Sequence, residues 1–419
     1  MSKINEEISC AASNTIDAWE DIDFSKAENY VKKLQKRIAV AFSNDDFDKM
    51  TYLQHTLIHS FYAKALAVRT VTSNKGKSTC GIDNVLWDTP EKKLQAVYEL
   101  NRRGYKSKPL KRIYIPKTNG DKRPLSIPTM KDRAMQTLYK FTLEPIAEVT
   151  GDENSFGFRK NRSAKDAVIK CIAILSENSN QWVLKADIEA CFDNISHEWV
   201  LKHIPLDKKV LYQFLKSGYL EEVLYHSTDK GIPQGGSISS VICNMVLDGI
   251  ECRLINKFGK DVHMIRYADD IIIVADSFSF LVQSIVPELN SFLNDRGLRL
   301  SSKKTKVVHI SNGFDFLGCR IYRRQNQIIS VPLRKNVDSL IDKINKELTV
   351  ISDRELDDLS YDEAATLGNT LKQYIRGWIN YYDNIVTVQS LIKVKEKVLC
   401  QVIELTGDTR IAGFIKKLF

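Results

Sequence analysis

Apolar residues recur at three- and four-residue spacings through the first part of the chain. Val31, Leu34, Ile38 and Phe42 form one stripe and Met50, Leu53, Leu57 and Phe61 another, so residues 17–70 read as amphipathic helices. A polar, glycine-containing loop, NKGKSTCGID (74–83), follows, and a further helix is predicted over 90–103. Two short β runs, 111–116 and 123–127, flank Thr118-Asn119-Gly120-Asp121, a strong hairpin signal. Residues 130–148 then read as a helix behind a threonine cap.

From residue 182 the period changes. A strand is predicted over 182–188, helices over 197–204, 207–217 and 238–257, and strands over 262–267 and 271–274 around a tight polar turn. A helix over 279–296 and strands over 306–310, 314–321 and 327–331 complete the series. This β-α-β-β-α-β order predicts a split βαβ sheet in an α+β fold. Helices over 333–350, 361–382 and 386–405 close the pattern.

Length and composition narrow the class. With 419 residues, 43% hydrophobic and 27% charged, the chain has material for two or three lobes with real cores. No run of about 18 apolar residues is present, and the first residues lack an apolar signal core. The expectation is therefore a cytoplasmic protein without a membrane partner. Eight cysteines include no CxxC pair and no histidine cluster has ligand spacing, which argues against structural zinc. Cys191 and Cys243 read as reduced core residues.

Charge adds a location. Residues 101–133 hold eleven Lys or Arg against two Asp, within a net charge of +9. Such a stretch suits a polyanion, since phosphate contacts release counterions. A solvated loop face is the alternative.

The sharpest chemical signal is Tyr267-Ala268-Asp269-Asp270, bracketed by the strand-like segments VHMIR and IIIVA. Adjacent carboxylates in a hairpin turn repel unless a cation neutralises them. Taken alone the pair is turn chemistry. However, WVLKADIEACFD (182–193) supplies Asp187 at a strand end and Asp193 six residues later. Asp187 alone could be a helix cap. Together the acids offer an all-oxygen donor set of the kind Mg²⁺ prefers, and two such ions about 3.5–4 Å apart would clamp an attacking hydroxyl and a leaving pyrophosphate.

With those residues in place, the chain resembles the reverse transcriptases, specifically the group II intron-like bacterial lineage, from about residue 70 to 385. Seven blocks stand in the family's order: IYIPKTNGDKRPLSIPTMKDRAMQ (113–136), SFGFRKNRSAKDAV (155–168), ADIEACFDNI (186–195), GIPQGGSISS (231–240), RYADD (266–270), LRLSSKKTK (298–306) and FLG (316–318). The resemblance implies a right-hand polymerase: an N-terminal helical extension (1–85), fingers (86–181), a split-βαβ palm (182–325) and a helical thumb (326–419). It implies an RNA-directed DNA polymerase that takes deoxynucleotides, an RNA template and two Mg²⁺ ions, with Mn²⁺ as a substitute, and yields complementary DNA.

The same resemblance implies roles. Asp187, Asp269 and Asp270 are the catalytic carboxylates and, with the Ile188 carbonyl, the metal set; Asp187 and Asp269 hold both ions, and Asp270 also orients the hairpin and supports the primer end. Phe192 is the steric gate against a ribose 2′-hydroxyl, or simply a buried aromatic. Lys117 and Arg123 close over the triphosphate, or contact template phosphate. Gln234 lies beside the nucleotide, with Gly235 and Gly236 allowing close backbone approach. Lys304 is a candidate proton donor to pyrophosphate. Phe316, Leu317 and Gly318 match the primer grip, and Arg112, Arg159, Arg162 and Arg376 are expected along nucleic acid. QYIRGWINYY (373–382) resembles the thumb of intron-encoded enzymes; Tyr374, Trp378 and Tyr381 have core spacing there. The 74–83 loop is similar to the family's extension over the template.

Intron-encoded members usually continue into a DNA-binding segment and a Cys/His-rich endonuclease, and neither pattern follows the thumb block here. The leading biological expectation is a stand-alone bacterial enzyme that copies a neighbouring structured noncoding RNA in anti-phage defence. A compact intron maturase is the alternative within the class, and a non-catalytic RNA-binding splicing factor the alternative outside it.

Overall fold

The computed structural model describes residues 16–116, 120, 122–177, 182–259, 262–352 and 361–406. They fall into two units: the first runs up to Gly151 and adds Glu189–Gly249 and Phe292–Arg299; the second takes Asp152–Ile188, Ile250–Ser291 and the chain from Leu300 onward.

In the first unit the predicted apolar stripes become helix faces. Phe24–Ser43 starts at Asp23, whose side chain accepts from the Lys26 N–H, and buries Val31, Leu34 and Ile38. Phe47–His59 starts the same way at Asp46 and buries Met50, Leu53 and Leu57. Phe61–Ser73 follows, and these helices pack around Met130–Thr150. That last helix buries polar Asp132, Gln136 and Thr137 as well as Leu138 and Leu143, a sign that its polar side chains have internal work.

A four-stranded sheet completes this unit. Strands β1 (Leu110–Pro116) and β2 (Lys122–Ile127) pair antiparallel, as their hairpin signal requires. Two more strands, β4 (Tyr219–Glu221) and β5 (Leu224–His226), extend the sheet from β1. At three residues each they are too short to show a period.

The second unit contains the expected split βαβ sheet. Strands β3 (Trp182–Asp187), β6 (His263–Tyr267), β7 (Asp270–Ala275) and β8 (Lys306–His309) lie in the order β6-β7-β3-β8, all antiparallel. Val183, Ile265, Ile272 and Val274 join Cys171, Phe316 and Tyr382 in one core. A second sheet holds β9 (Phe314–Phe316), β10 (Cys319–Arg324) and β11 (Gln327–Pro332). Helices Arg334–Ser352, Tyr361–Tyr382 and Val388–Thr406 bury Ile344, Leu371, Ile375 and Val398.

Four sequence expectations change. The 238–257 helix is two helices, Ser239–Leu247 and Ile250–Phe258, because Asp248 is extended and Gly249 has φ 92°. The 314–321 strand is interrupted by Leu317 (φ 43°) and Gly318 (φ 84°), which turn β9 into β10. The helix from residue 90 stops at Glu99, freeing Arg102 and Arg103. Tyr374 is 39% exposed rather than core, and its hydroxyl donates to Glu347.

Candidate active site

Strand register sets the carboxylate geometry. Asp187 ends β3 directly opposite Asp270, the first residue of β7. Opposed residues of an antiparallel pair share a face with Cβ atoms about 4.5–5.5 Å apart, and like charges there repel. The β6–β7 hairpin turns through Ala268 and Asp269, with Ala268 held at φ 56°. Burial pushes the Asp270 carboxyl up; the Asp269 and Asp187 charges push the same way, while Lys185 and Lys304 oppose them. Three acids thus face two ammonium groups.

The Lys304 ammonium lies 3.2 Å from both Asp187 carboxylate oxygens. The Asp187 carbonyl accepts the Ser301 N–H at 2.8 Å, which fixes the segment carrying Lys304 beside the strand end. Ile188 is 2% exposed, and its backbone bridges to Leu300.

An all-oxygen, net-negative set fits a hard divalent cation better than zinc or copper. Among the described residues no group of three or more His, Cys, Asp or Glu side chains is arranged to hold a metal by itself. Magnesium at such sites characteristically leans on one or two carboxylates plus substrate phosphates and water, so the two observations agree.

The Ala268–Asp269 turn is braced by the segment from Asn154 to Arg162, which was expected along template backbone. Ser155 bridges to Arg266, the Phe156 N–H donates to the Arg266 carbonyl at 2.8 Å, and the Arg266 N–H donates to the Asn154 carbonyl. A Cβ on Gly157 would sit 2.3 Å from the Ala268 nitrogen, so only glycine fits behind the turn. Arg159 and Arg162, expected along template, both donate to the Ser155 carbonyl, with further bonds to the Asp152 and Glu153 carbonyls. In this structure their guanidinium groups hold the brace. The glycine between two aromatics in SFGF was the available signal.

The FLG turn is also tied down. Phe316 is 1% exposed and belongs to the core, and Leu317 and Gly318, both half-buried, form the turn beside it. Tyr381 donates to the Leu317 carbonyl and Tyr382 to the Gly318 carbonyl, the latter at 3.0 Å. Thus the FLG and GWINYY blocks, 64 residues apart at these contacts, meet. Arg376 on the same helix is exposed.

In the first unit, Arg123 donates from Nε to the Gln234 Oε1 at 2.9 Å, and the Gln234 amide donates to both Asp193 oxygens at 3.2 and 3.3 Å. Asp193 therefore fixes the amide so that its oxygen faces the arginine. Half-buried Phe192 has its carbonyl bonded to the Ile232 N–H at 2.7 Å. Gly235 and Gly236 are crowded as expected: a Cβ would meet the Ser126 carbonyl at 2.6 Å and the Ser239 Oγ at 2.6 Å, respectively. Arg112 stacks on Tyr219 at 3.8 Å and lines a cavity of about 520 Å³ with Asp193 and Gln234. Arg133 bonds the carbonyls of Gly76, Thr79 and Pro128, pinning the 74–83 loop. Lys117 lies outside the described residues.

Comparison with known proteins follows the same blocks. The family of reverse transcriptases (RNA-dependent DNA polymerases) matches residues 115–321, and the N-terminal domain of reverse transcriptase matches residues 19–100. Protein YkfC of Escherichia coli is 28% identical over 71% of this chain and 90% of its own length. Group II intron-encoded protein LtrA of Lactococcus lactis is 29% identical over 70% of this chain and 61% of its own, so less than two thirds of that relative is spanned. Among solved structures, telomerase from Candida albicans in complex with a telomeric RNA fragment aligns with 15% identity and TM-score 0.42, over 75% of this chain and 62% of that one; so distant a likeness carries no argument. No described helix is long and apolar enough to cross a membrane.

Proposed function

Since the chain belongs to the reverse transcriptase family, RNA-directed DNA polymerases of right-hand α+β fold, we propose that Asp187, Asp269 and Asp270 extend a primer with deoxynucleotides on an RNA template. The observation that carries this is the opposition of Asp187 and Asp270 across β3 and β7, beside Asp269. Two Mg²⁺ ions, held by these carboxylates and the Ile188 carbonyl, would supply an activated 3′-hydroxyl and a stabilised leaving pyrophosphate. Lys304 is assigned proton donation to the leaving group, and Arg123, Phe192 and Gln234 contact with the nucleotide. Leu317, Gly318 and Arg376 are assigned to nucleic acid.

The finer reading takes the template as a structured noncoding RNA and the product as part of anti-phage defence; it rests on the resemblance of the sequence. A second reading, an intron maturase, draws support from the intron-encoded relative LtrA. Sequencing the nucleic acid that co-purifies with the wild type and with Asp269→Ala/Asp270→Ala separates them. A local noncoding RNA with its complementary DNA in the wild type alone supports the first, and intron RNA supports the second. Equal complementary DNA in both preparations contradicts polymerase activity.

A further inference from the structure

A second cavity in the first unit, of about 750 Å³, shares no lining residue with the one beside Gln234. It forms between the loop after Glu99 and the helix Lys208–Lys216. Arg102, Arg103, Lys106, Lys208 and Lys209 line it, and no Asp or Glu does. The ring of Tyr212, 49% exposed, forms part of the wall.

The walls are held by internal bonds. Arg102 pairs with Asp207, the residue whose carboxylate also caps the helix through the Lys209 and Val210 N–H groups. The Ser107 N–H donates to Gln213 at 3.3 Å, and the Tyr105 hydroxyl donates to buried Asp132 at 2.6 Å. Lys208 donates to the Ile204 carbonyl at 2.6 Å, tucking its stem against the fold. These bonds spend Arg102 and Lys208 on construction. Arg103, Lys106 and Lys209 are left exposed on a fixed frame. Exposed cations fixed around a groove, with an aromatic face beside them, match a sugar-phosphate backbone with an unstacked base.

We propose that this groove is a docking site for the phosphate backbone of RNA, separate from the residues assigned to the incoming nucleotide. It rests on the polymerase reading only for the kind of partner. Its function is to hold a distal part of the RNA while another part is copied.

Arg103→Glu/Lys106→Glu/Lys209→Glu tests this in the full chain, using a fluorescein-labelled RNA hairpin read by anisotropy across a KCl series. Expected are a tenfold or greater loss of affinity near 0.1 M KCl and a salt slope shallower by about 2, as for three lost phosphate contacts. The melting temperature, and extension of a short RNA/DNA hybrid at saturating concentration, should match wild type. Unchanged affinity and slope would overturn the site. An equal fall in saturated extension would place the groove in the catalytic path and overturn its separateness. Displacement of the RNA by poly-glutamate at equal charge concentration would make it a general anion patch. Because binding is read without catalysis, failure of the polymerase reading shows separately, as absence of extension by the wild type.

Discussion

Lys304 holds its ammonium 3.2 Å from each carboxylate oxygen of Asp187, the acid that β3 sets opposite Asp270. The lysine side chain is 69% exposed and the carboxylate 19%. A pair with so exposed a lysine contributes at most about 1 kcal/mol to folding, so removing it should cost little stability.

Lys304→Met should therefore melt like the wild type and extend a primer about 100-fold more slowly, the scale of a lost general acid. It should also bind Mg²⁺ more tightly, since a competing cation has left Asp187. Calorimetric titration with Mg²⁺ and single-turnover extension check both; weaker metal binding would contradict the competition.

Gly157→Ala should displace Ala268, because the added carbon meets the Ala268 nitrogen at 2.3 Å. We expect extension to fall at least about tenfold, the result of misplacing reacting groups by a fraction of an ångström. Gly377→Ala is the control: its Cβ meets nothing within 4 Å, and alanine inside a helix should stabilise by up to about 1 kcal/mol. Equal activity of Gly157→Ala and wild type would remove the brace from the account.

Phe192→Val tests the gate. The backbone of Phe192 is fixed by its bond to Ile232, so trimming the ring should open space without moving the chain. Ribonucleotide incorporation relative to deoxynucleotide should rise about tenfold or more. Unchanged discrimination would leave Phe192 a packing residue.

His197 makes the first unit sensitive to pH. It is 5% exposed, its Nε2 donates to the Gly231 carbonyl at 2.6 Å, and burial lowers its pKa from 6.5. The folded state therefore binds fewer protons than the unfolded one, and this contribution is full above pH 6.5 and lost as pH falls toward the lowered value. The melting temperature should drop between about pH 7 and 5. His197→Gln, which can donate the same bond without titrating, should flatten that drop; equal slopes would contradict it.

Much of this was legible in the sequence, for local reasons. Short apolar, β-branched runs placed β3, β6 and β7, so Asp187, Asp269 and Asp270 fell at strand ends by counting alone. The Gly157 contact with Ala268 spans more than a hundred residues and leaves no periodic trace. Arg159 and Arg162 read as nucleic-acid cations because charge shows in a sequence while the carbonyls that absorb it do not. The β4–β5 hairpin was silent because three-residue strands carry no period, and the Asp248-Gly249 turn signal was outweighed by the long apolar stripe on either side of it. The Asp193–Gln234–Arg123 chain joins three blocks whose contact only the fold supplies.

The most direct test of the central claim is single-turnover extension of a DNA primer on an RNA template in Mg²⁺, comparing wild type with Asp187→Asn. The substitution keeps the side-chain shape and removes the charge that faces Asp270 across the sheet. The account predicts deoxynucleotide addition by the wild type and a loss of at least about a thousandfold in the variant, on the scale of about 4 kcal/mol of transition-state stabilisation. Addition at the same rate by both proteins, or by neither, would contradict it.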